Sequence, residues 1–136
     1  MPLHMIKLVV GADTIDDLLD WRKTHYAPGE PWILRTRMTP KRQAEMLDGG
    51  SIYRVFKGVI LCRQRLLAIN TVGEGVTARC EIVLDEDVVR VAPTPRRAFQ
   101  GWRYLDPKDA PPDLDTEAFG DVPDELARQL REVGAW

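Results

Sequence analysis

The chain has 136 residues, of which 44% are hydrophobic and 29% are charged, and its formal net charge at pH 7 is −2. This length and composition predict one soluble globular domain, residues 1–136, which can bury a core without metals or disulfides. No apolar run approaches the roughly 18 residues of a membrane helix, and the N-terminus lacks the layout of a signal peptide. We therefore expect a cytoplasmic protein with no membrane partner.

The charges are segregated along the chain. Residues 34–108 carry a net charge of +6, whereas residues 109–136 carry −6. A basic segment indicates an anionic ligand, and the acidic tail could screen that segment or fold over it. In the alternative interpretation, the two segments only balance each other on a solvated surface.

The cysteines and histidines indicate no metal site. Cys62 and Cys80 are the two cysteines, and we expect both to be reduced and buried, because disulfides are rare in the cytosol. Their spacing from His4 and His25 does not match a zinc site. The sequence therefore predicts no metal and no cofactor.

The N-terminal part of the chain predicts a strand, a helix and a second strand. Residues 3–10 are β-rich, and Asp13 and Thr14 both offer an oxygen that can cap a helix over residues 14–26, which has acidic residues in its first turn. Residues 32–38 alternate as a strand does.

A short helix is expected over residues 39–50. Thr39 would cap it, and Pro40 would take the first helical position, where a missing N–H costs nothing. Gly49 and Gly50 would supply the left-handed stop at its C-terminus.

The rest of the chain predicts a run of strands and a last helix. The predicted elements are two strands within residues 51–69, broken or bulged near Lys57-Gly58, a hairpin loop at Gly73-Glu74-Gly75, a strand over residues 77–84, a strand over residues 88–91 that ends at Pro93, and a helix over residues 121–133.

This order predicts an α+β fold with a mixed or mostly antiparallel sheet and two or three short helices. Strands that curl into a small pseudo-barrel would hide their edges. Residues 109–136 would form an acidic C-terminal loop and helix.

The strongest local signal for function lies in residues 96–104, where three arginines and three aromatic residues surround one glycine. Arginine makes bidentate contacts to phosphate or carboxylate, and aromatic rings stack on unpaired bases. The candidate binding residues are Arg96, Arg97, Phe99, Gln100, Trp102, Arg103 and Tyr104.

The alternative for this segment is structural. Phe99 and Trp102 would then be core anchors, because large aromatic residues are mostly buried. The arginines would pair with tail acids such as Asp113, Asp115 or Glu117.

A second signal surrounds the start of the short helix. Free amides at a helix start attract anions, and Thr39, Lys41 and Arg42 lie beside them, with Arg37 on the preceding strand. A solvated helix start is the alternative. If the fold brings Arg37 near Arg96 or Arg103, the two signals become one cleft.

Nucleophilic hydrolysis is not expected. Ser51 is the only serine and lacks the glycine pattern of a nucleophile elbow. His4 lies in an apolar strand, where a satisfied core or edge residue is the usual role.

Six short motifs can be compared with known families as a set: Thr36–Arg42, Gly49–Tyr53, Lys57–Gly58, Arg63–Arg65, Pro95–Arg97 and Phe99–Leu105. Together they resemble the DUF1489 family over about residues 3–112, most of the chain, and that family name carries no biochemical activity.

The order of elements is also similar to PUA-like domains, including the ASCH and EVE groups. That resemblance implies a pseudo-barrel that binds RNA or modified bases in a cleft beside the short helix. The first hypothesis is therefore a binding module for RNA or a nucleotide-like anion.

Some ASCH-like proteins hydrolyse amides on modified nucleosides with Lys, Thr and Glu. By that resemblance, Lys41, Thr39 and either Glu81 or Glu45 would take these roles in a second hypothesis, and a lysine base would require burial. The third hypothesis is a protein-interaction domain that uses the acidic tail or the Trp136 end as its contact, to be tested by truncation at about Pro112.

Overall fold

The computed structural model describes residues 2–97, 99 and 101–114. This part of the chain is an α+β domain, as predicted, and the predicted helix over residues 121–133 lies outside it. Its elements are β1 (His4–Leu8), α1 (Ile15–His25), β2 (Trp32–Thr36), α2 (Gln43–Met46), β3 (Ser51–Phe56), β4 (Val59–Val72), β5 (Arg79–Leu84), β6 (Val89–Pro95) and β7 (Trp102–Leu105), with single turns of 3-10 helix at Gly75–Thr77 and Pro107–Asp109.

The strands form one mixed sheet in the order β2-β5-β4-β3-β1-β7, with β6 also paired to β4. Only the pairing of β1 with β3 is parallel among the described strands. The first half of β4 pairs with β3 and β6, and its second half pairs with β5, with a register shift between Leu66 and Ala68. Over the described residues the path ends at β2 and β7, so the sheet is open and the expected barrel closure does not occur.

Both faces of the β1, β3 and β4 region are buried. Side chains alternate across a strand, so Met5 and Ile52 contribute to one hydrophobic cluster, together with Ile15 and Leu18 of α1. Tyr53 belongs to a smaller cluster on the opposite face. This explains why all six residues of β3 are buried.

Neither α-helix of the described region has the length and apolar character that crossing a membrane requires.

The start and burial of α1 follow the predicted pattern. The Oγ1 atom of Thr14 accepts a hydrogen bond from the Asp17 N–H at 3.1 Å, which caps the helix. Ile15 and Leu18 are buried, while the first turn exposes its acidic residues to solvent. Local capping and hydrophobic spacing were therefore sufficient to predict this helix.

The start of α2 differs from the prediction. The helix begins at Gln43, so Pro40 precedes it, and the Oγ1 atom of Thr39 bonds Oγ1 of Thr71 at 2.6 Å instead of capping it. A contact with β4 has replaced the local cap. With only four residues, α2 is too short to supply a helix-terminus anion site.

The end of α2 agrees with the prediction. Gly49 has a φ of +92°, the left-handed stop, and the Gly50 N–H donates to the Met46 carbonyl at 2.9 Å. A Cβ atom at Gly50 would lie 2.3 Å from the carbonyl oxygens of both Leu3 and Met46. Only glycine therefore fits where β3 begins.

One predicted turn and one predicted strand end have different outcomes. Lys57 and Gly58 both have positive φ, 45° and 84°, and form a two-residue hairpin turn between β3 and β4 at the predicted break. The predicted strand end at Pro93 is wrong, because β6 continues to Pro95. Prolines are tolerated there because β6 lies at the rim of the sheet, where not every backbone N–H needs a partner strand.

Candidate anion-binding cleft

Five of the predicted binding residues line one open cavity beside β7. The cavity has a volume of about 700 Å³, and none of its lining residues is acidic. The structure therefore brings three cations and two aromatic rings together around a shared space, which we call the β7 cleft. Its lining residues are Pro95, Arg96, Arg97, Phe99, Arg103 and Tyr104.

The position of β7 explains the shape of this cleft. Among the described strands β7 pairs only with β1, so its other edge is open. Because side chains alternate along a strand, Arg103 lies on the opposite face from Tyr104. The Arg103 guanidinium lies 5.5 Å from the centre of the Phe99 ring, and its Nη1 donates to the Trp102 carbonyl at 2.9 Å. The β7 cleft therefore curves around the edge of the strand.

Arg42, and not Arg37, connects the second sequence signal to this cleft. The Arg42 N–H donates to the Tyr104 hydroxyl at 3.3 Å, and the guanidinium lies 5.6 Å from the centre of that ring. The same guanidinium makes a bidentate pair with Glu45, at 2.5 and 3.0 Å. This hydrogen bonding raises the pKa of Arg42 and lowers the pKa of Glu45. Arg42 therefore positions Tyr104 while its own charge is largely compensated.

Of the remaining predicted binding residues, those that the structure describes lie outside the lining of the β7 cleft. Arg37 and Lys41 are exposed, and no hydrogen bond or ion pair involves either side chain within the described residues. Trp102 packs against the main core and meets the Tyr104 ring edge-on at 5.0 Å, so it acts as a support for that ring. Gln100 lies outside the described residues.

The residues of the amidohydrolase hypothesis are not brought together. Lys41 is exposed, so the burial that a lysine base requires is missing. Glu81 pairs with Arg35 across β5 and β2 at 3.4 Å, and Thr39 bonds Thr71. In the part of the chain that the structure describes, no hydrogen bond or ion pair links Lys41, Thr39 and Glu81. The second choice of carboxylate, Glu45, is engaged by Arg42.

A polar cluster that the sequence did not indicate lies on the face of the sheet that carries Tyr53. His4 Nδ1 accepts a hydrogen bond from the Ser51 N–H at 3.0 Å, so this nitrogen carries no proton. Arg63 donates from Nη1 to Ser51 Oγ at 3.0 Å and from Nε and Nη2 to the Asp113 carboxylate at 2.6 and 2.7 Å. Burial, and then the charge of Arg63, lowers the pKa of His4. Hydrogen bonding to Arg63 lowers the pKa of Asp113.

This arrangement anchors a segment and does not form a nucleophile and base. His4 Nδ1 is occupied by a backbone N–H, and Ser51 Oγ accepts from Arg63, so neither group activates the other. Asp113 instead joins β6: it bridges with Val91, and the neighbouring backbone bonds Ala92 N to Pro112 O and Leu114 N to Arg90 O are both 2.9 Å long. The cluster therefore holds residues 112–114 on the sheet.

Two expectations about the tail change with this result. Asp113 pairs with Arg63, and not with the arginines of residues 96–103; Asp115 and Glu117 lie outside the described residues. A truncation at Pro112 would remove residues that pair with β6, because both Asp113 and Leu114 bond that strand region. A deletion that spares the described fold has to begin after Leu114.

The two cysteines are buried and free, as expected. Within the described residues, no group of three or more His, Cys, Asp or Glu side chains could hold a metal ion.

Comparison with known proteins identifies a family for this chain but no biochemical activity. The family model described as "Protein of unknown function (DUF1489)" matches residues 5–136, which is almost the whole chain. No curated protein and no solved structure matches the chain. A function therefore has to be inferred from the geometry.

Proposed function

We propose that this chain, which belongs to the DUF1489 family, is a binding module for RNA or a nucleotide-like anion, with the β7 cleft as its binding site. The observation that carries the proposal is the lining of that cleft, three arginines and two aromatic rings without a carboxylate. Guanidinium groups bind phosphate through paired hydrogen bonds, and rings stack on bases. The proposal includes the cytoplasmic location that the sequence predicts, and the PUA-like kinship stays a prediction.

The backbone around the cleft supports a pre-organised site. The Arg96 N–H donates to the Gly58 carbonyl at 2.7 Å, which ties the start of the arginine pair to the turn between β3 and β4. The Tyr104 hydroxyl is held by Arg42, and its ring is supported by Trp102. Fixing these groups before binding lowers the entropy cost of ordering them around a ligand.

The pattern of internal ion pairs also favours an external anion. The carboxylates of Glu45, Glu81 and Asp113 bind other cations, namely Arg42, Arg35 and Arg63. Within the described residues, no ion pair involves the side chains of Arg96 or Arg97, and both are exposed. Phosphate groups are therefore the natural counter-charge for this pair.

A fluorescence-anisotropy titration tests the proposal. A labelled single-stranded RNA and a matched duplex are titrated with the full chain at low and at physiological salt. We expect saturable binding to the single strand that weakens with salt. Arg97→Ala combined with Arg103→Ala should weaken it and reduce the slope of log K against log salt by about 0.7 for each phosphate that the protein no longer neutralises.

The control is Lys23→Ala combined with Arg65→Ala, which removes two exposed cations from elsewhere on the surface. Equal weakening by both double variants would refute the site, and no binding at low salt would refute the function.

Competition with adenosine monophosphate separates the two ligand classes. Displacement of RNA by the nucleotide at comparable affinity would assign the cleft to a nucleotide.

The aromatic part of the cleft has its own test. Phe99→Ala should cost about 1–3 kcal/mol of RNA-binding free energy if a base stacks on this ring. Phe99→Tyr keeps the ring and should preserve affinity. If Phe99→Ala binds RNA as well as the native chain, base stacking occurs elsewhere or not at all.

A further inference from the structure

A second, partly open cavity lies between α1, β2 and the sheet face that carries Arg54. Its volume is about 300 Å³. Most of its lining is apolar, and its charged lining residues are Lys7 and Arg54, with no acidic residue among them. It shares no lining residue with the β7 cleft, so it is a separate feature of the molecule. Neither Lys7 nor Arg54 lies in a motif that the sequence pattern indicated as a binding site.

Arg54 is a buried cation that has no counter-charge among the residues that the structure describes. Its exposed fraction is 6%, and its Nε atom is buried with no hydrogen-bond partner. Within the described residues, no hydrogen bond or ion pair involves its guanidinium. The cross-strand neighbour Cys62 cannot compensate the charge, because burial raises the pKa of that thiol to about 12 and keeps it neutral. A buried arginine with this environment is unusual, since buried charges are normally paired.

Lys7 adds a second positive charge to the same site. It is the register partner of Arg54 in the parallel pairing of β1 with β3, so both side chains lie on one face. Burial and the nearby charge of Arg54 lower the pKa of Lys7. Two adjacent cations at a half-buried site repel each other, and an anion between them would relieve that repulsion.

We propose that this cavity binds a small organic carboxylate with an apolar body. Arg54 and Lys7 would hold the carboxylate, whose two oxygens match the guanidinium fork. Leu18, Trp21 and Trp32 would contact the apolar body. This site goes beyond the proposed RNA or nucleotide binding and does not depend on it.

The size and lining of the cavity select this ligand class. A volume of about 300 Å³ lies at the lower end of small-molecule sites, which span roughly 300–1,000 Å³. A phosphate dianion would call for more donors than two cationic side chains in an otherwise apolar lining. Of the two tryptophans that line the cavity, Trp32 is 3% exposed and Trp21 is 42% exposed, so the Trp21 side of the lining is the one open to solvent. A ligand can therefore enter beside Trp21.

Calorimetric titration of the full chain with octanoate and benzoate tests the assignment. The neutral probes are octanol and benzyl alcohol, and inorganic phosphate is the third probe. Tryptophan fluorescence reports on the same site, because Trp21 and Trp32 line it. We expect at least one carboxylate to bind saturably and at least tenfold more tightly than its neutral counterpart or phosphate.

Three variants locate the binding. Arg54→Met should abolish carboxylate binding and raise the melting temperature of the ligand-free protein, because an uncompensated buried charge is removed. Lys7→Met should weaken carboxylate binding about tenfold. If Arg54→Met does not fold, the affinity of Lys7→Met alone tests whether this cavity is the carboxylate site. Arg65→Met is the matched control, since Arg65 is an exposed arginine on β4, and it should bind as the native chain does.

The proposal is overturned by any of three results. Alcohols that bind as tightly as carboxylates would show that the cations take no part. Phosphate that binds more tightly than both carboxylates would refute the ligand class. Carboxylate binding that persists in Lys7→Met and Arg54→Met would refute the site. None of these results bears on RNA binding, which is measured separately by anisotropy titration of variants in the β7 cleft.

Discussion

Arg54 and Arg63 lie on the neighbouring strands β3 and β4 and have opposite environments. Arg63 makes two hydrogen bonds to Asp113 and one to Ser51, and hydrogen bonding to Asp113 raises its pKa. Arg54 faces the other side of the sheet, has no ion pair within the described residues, and has its pKa lowered by burial. Both are arginines on central strands, so the residue type does not decide the role. The presence or absence of an acidic partner from another segment decides it.

The difference predicts opposite effects of the same substitution. Arg63→Met should lower the free energy of unfolding by about 2–3 kcal/mol, because it leaves Asp113 and Ser51 without their partner. Urea denaturation measures this effect, with the exposed Arg65→Met as the reference. A loss no larger than that of Arg65→Met would show that Arg63 does not anchor residues 112–114.

Arg54→Met should change stability in the other direction. Removing an uncompensated buried charge and filling its space with an apolar chain should raise the free energy of unfolding by about 1–2 kcal/mol in the ligand-free protein. The same urea denaturation measures the gain. A loss of stability would contradict the comparison, since Arg54 would then be a structural cation like Arg63.

Asp113→Asn should have a smaller, pH-dependent effect. The Asp113 pKa is lowered from its ordinary value of 3.8, so its stabilising charge is present above that pH and is lost as the pH falls through the lowered pKa. The carboxylate is 47% exposed, and solvent screening limits the expected loss at pH 7 to about 1 kcal/mol.

Denaturation of Asp113→Asn and the native chain at pH 7 and at pH 2 checks this prediction. The difference between the two proteins should shrink at the lower pH, because the unfolded chain takes up the Asp113 proton before the native state does. An undiminished difference at pH 2 would mean that the amide damages the structure for another reason.

The smallest effect is expected at His4. Its pKa is lowered from the ordinary value of 6.5, so the unfolded chain takes up the proton first as the pH falls below 6.5. Stability should therefore decrease from pH 7 to pH 5, and His4→Asn, which can still accept from the Ser51 N–H, should remove that part of the decrease. We expect a difference of about 1 kcal/mol or less. An identical pH profile in both proteins would show that His4 does not titrate differently on folding.

The two proposed anion sites, the β7 cleft and the cavity lined by Lys7 and Arg54, extend the comparison to function. The cations of the β7 cleft are exposed and lie close together in the sequence, so a ligand there contacts groups that are already solvated. In the cavity beside Arg54, Arg54 is buried and Lys7 is half-buried. A ligand there would compensate charges that the fold has removed from water. Binding at the β7 cleft should therefore depend strongly on salt, whereas binding beside Arg54 should depend on it less.

Features that depend on neighbours in the sequence were determined by the sequence alone. Thr14 caps α1 through a residue three positions away, and the turn at Lys57 and Gly58 needs only the backbone preferences of a two-residue hairpin. The lining of the β7 cleft was largely predictable for the same reason. All its lining residues fall within ten consecutive positions, from Pro95 to Tyr104, so they stay close in space in almost any strand and loop arrangement.

The tertiary structure decided what depends on distant strands. Parallel pairing of β1 with β3 places Lys7 beside Arg54 and His4 beside Ser51, across 47 residues of chain, and no local spacing encodes that register. The bond from Thr39 to Thr71 shortened α2, and the rim position of β6 allowed it to pass Pro93. The physical reason is common to all of these cases. Long-range pairing offers hydrogen bonds and burial that outweigh local preference, and only the folded sheet shows which segments meet.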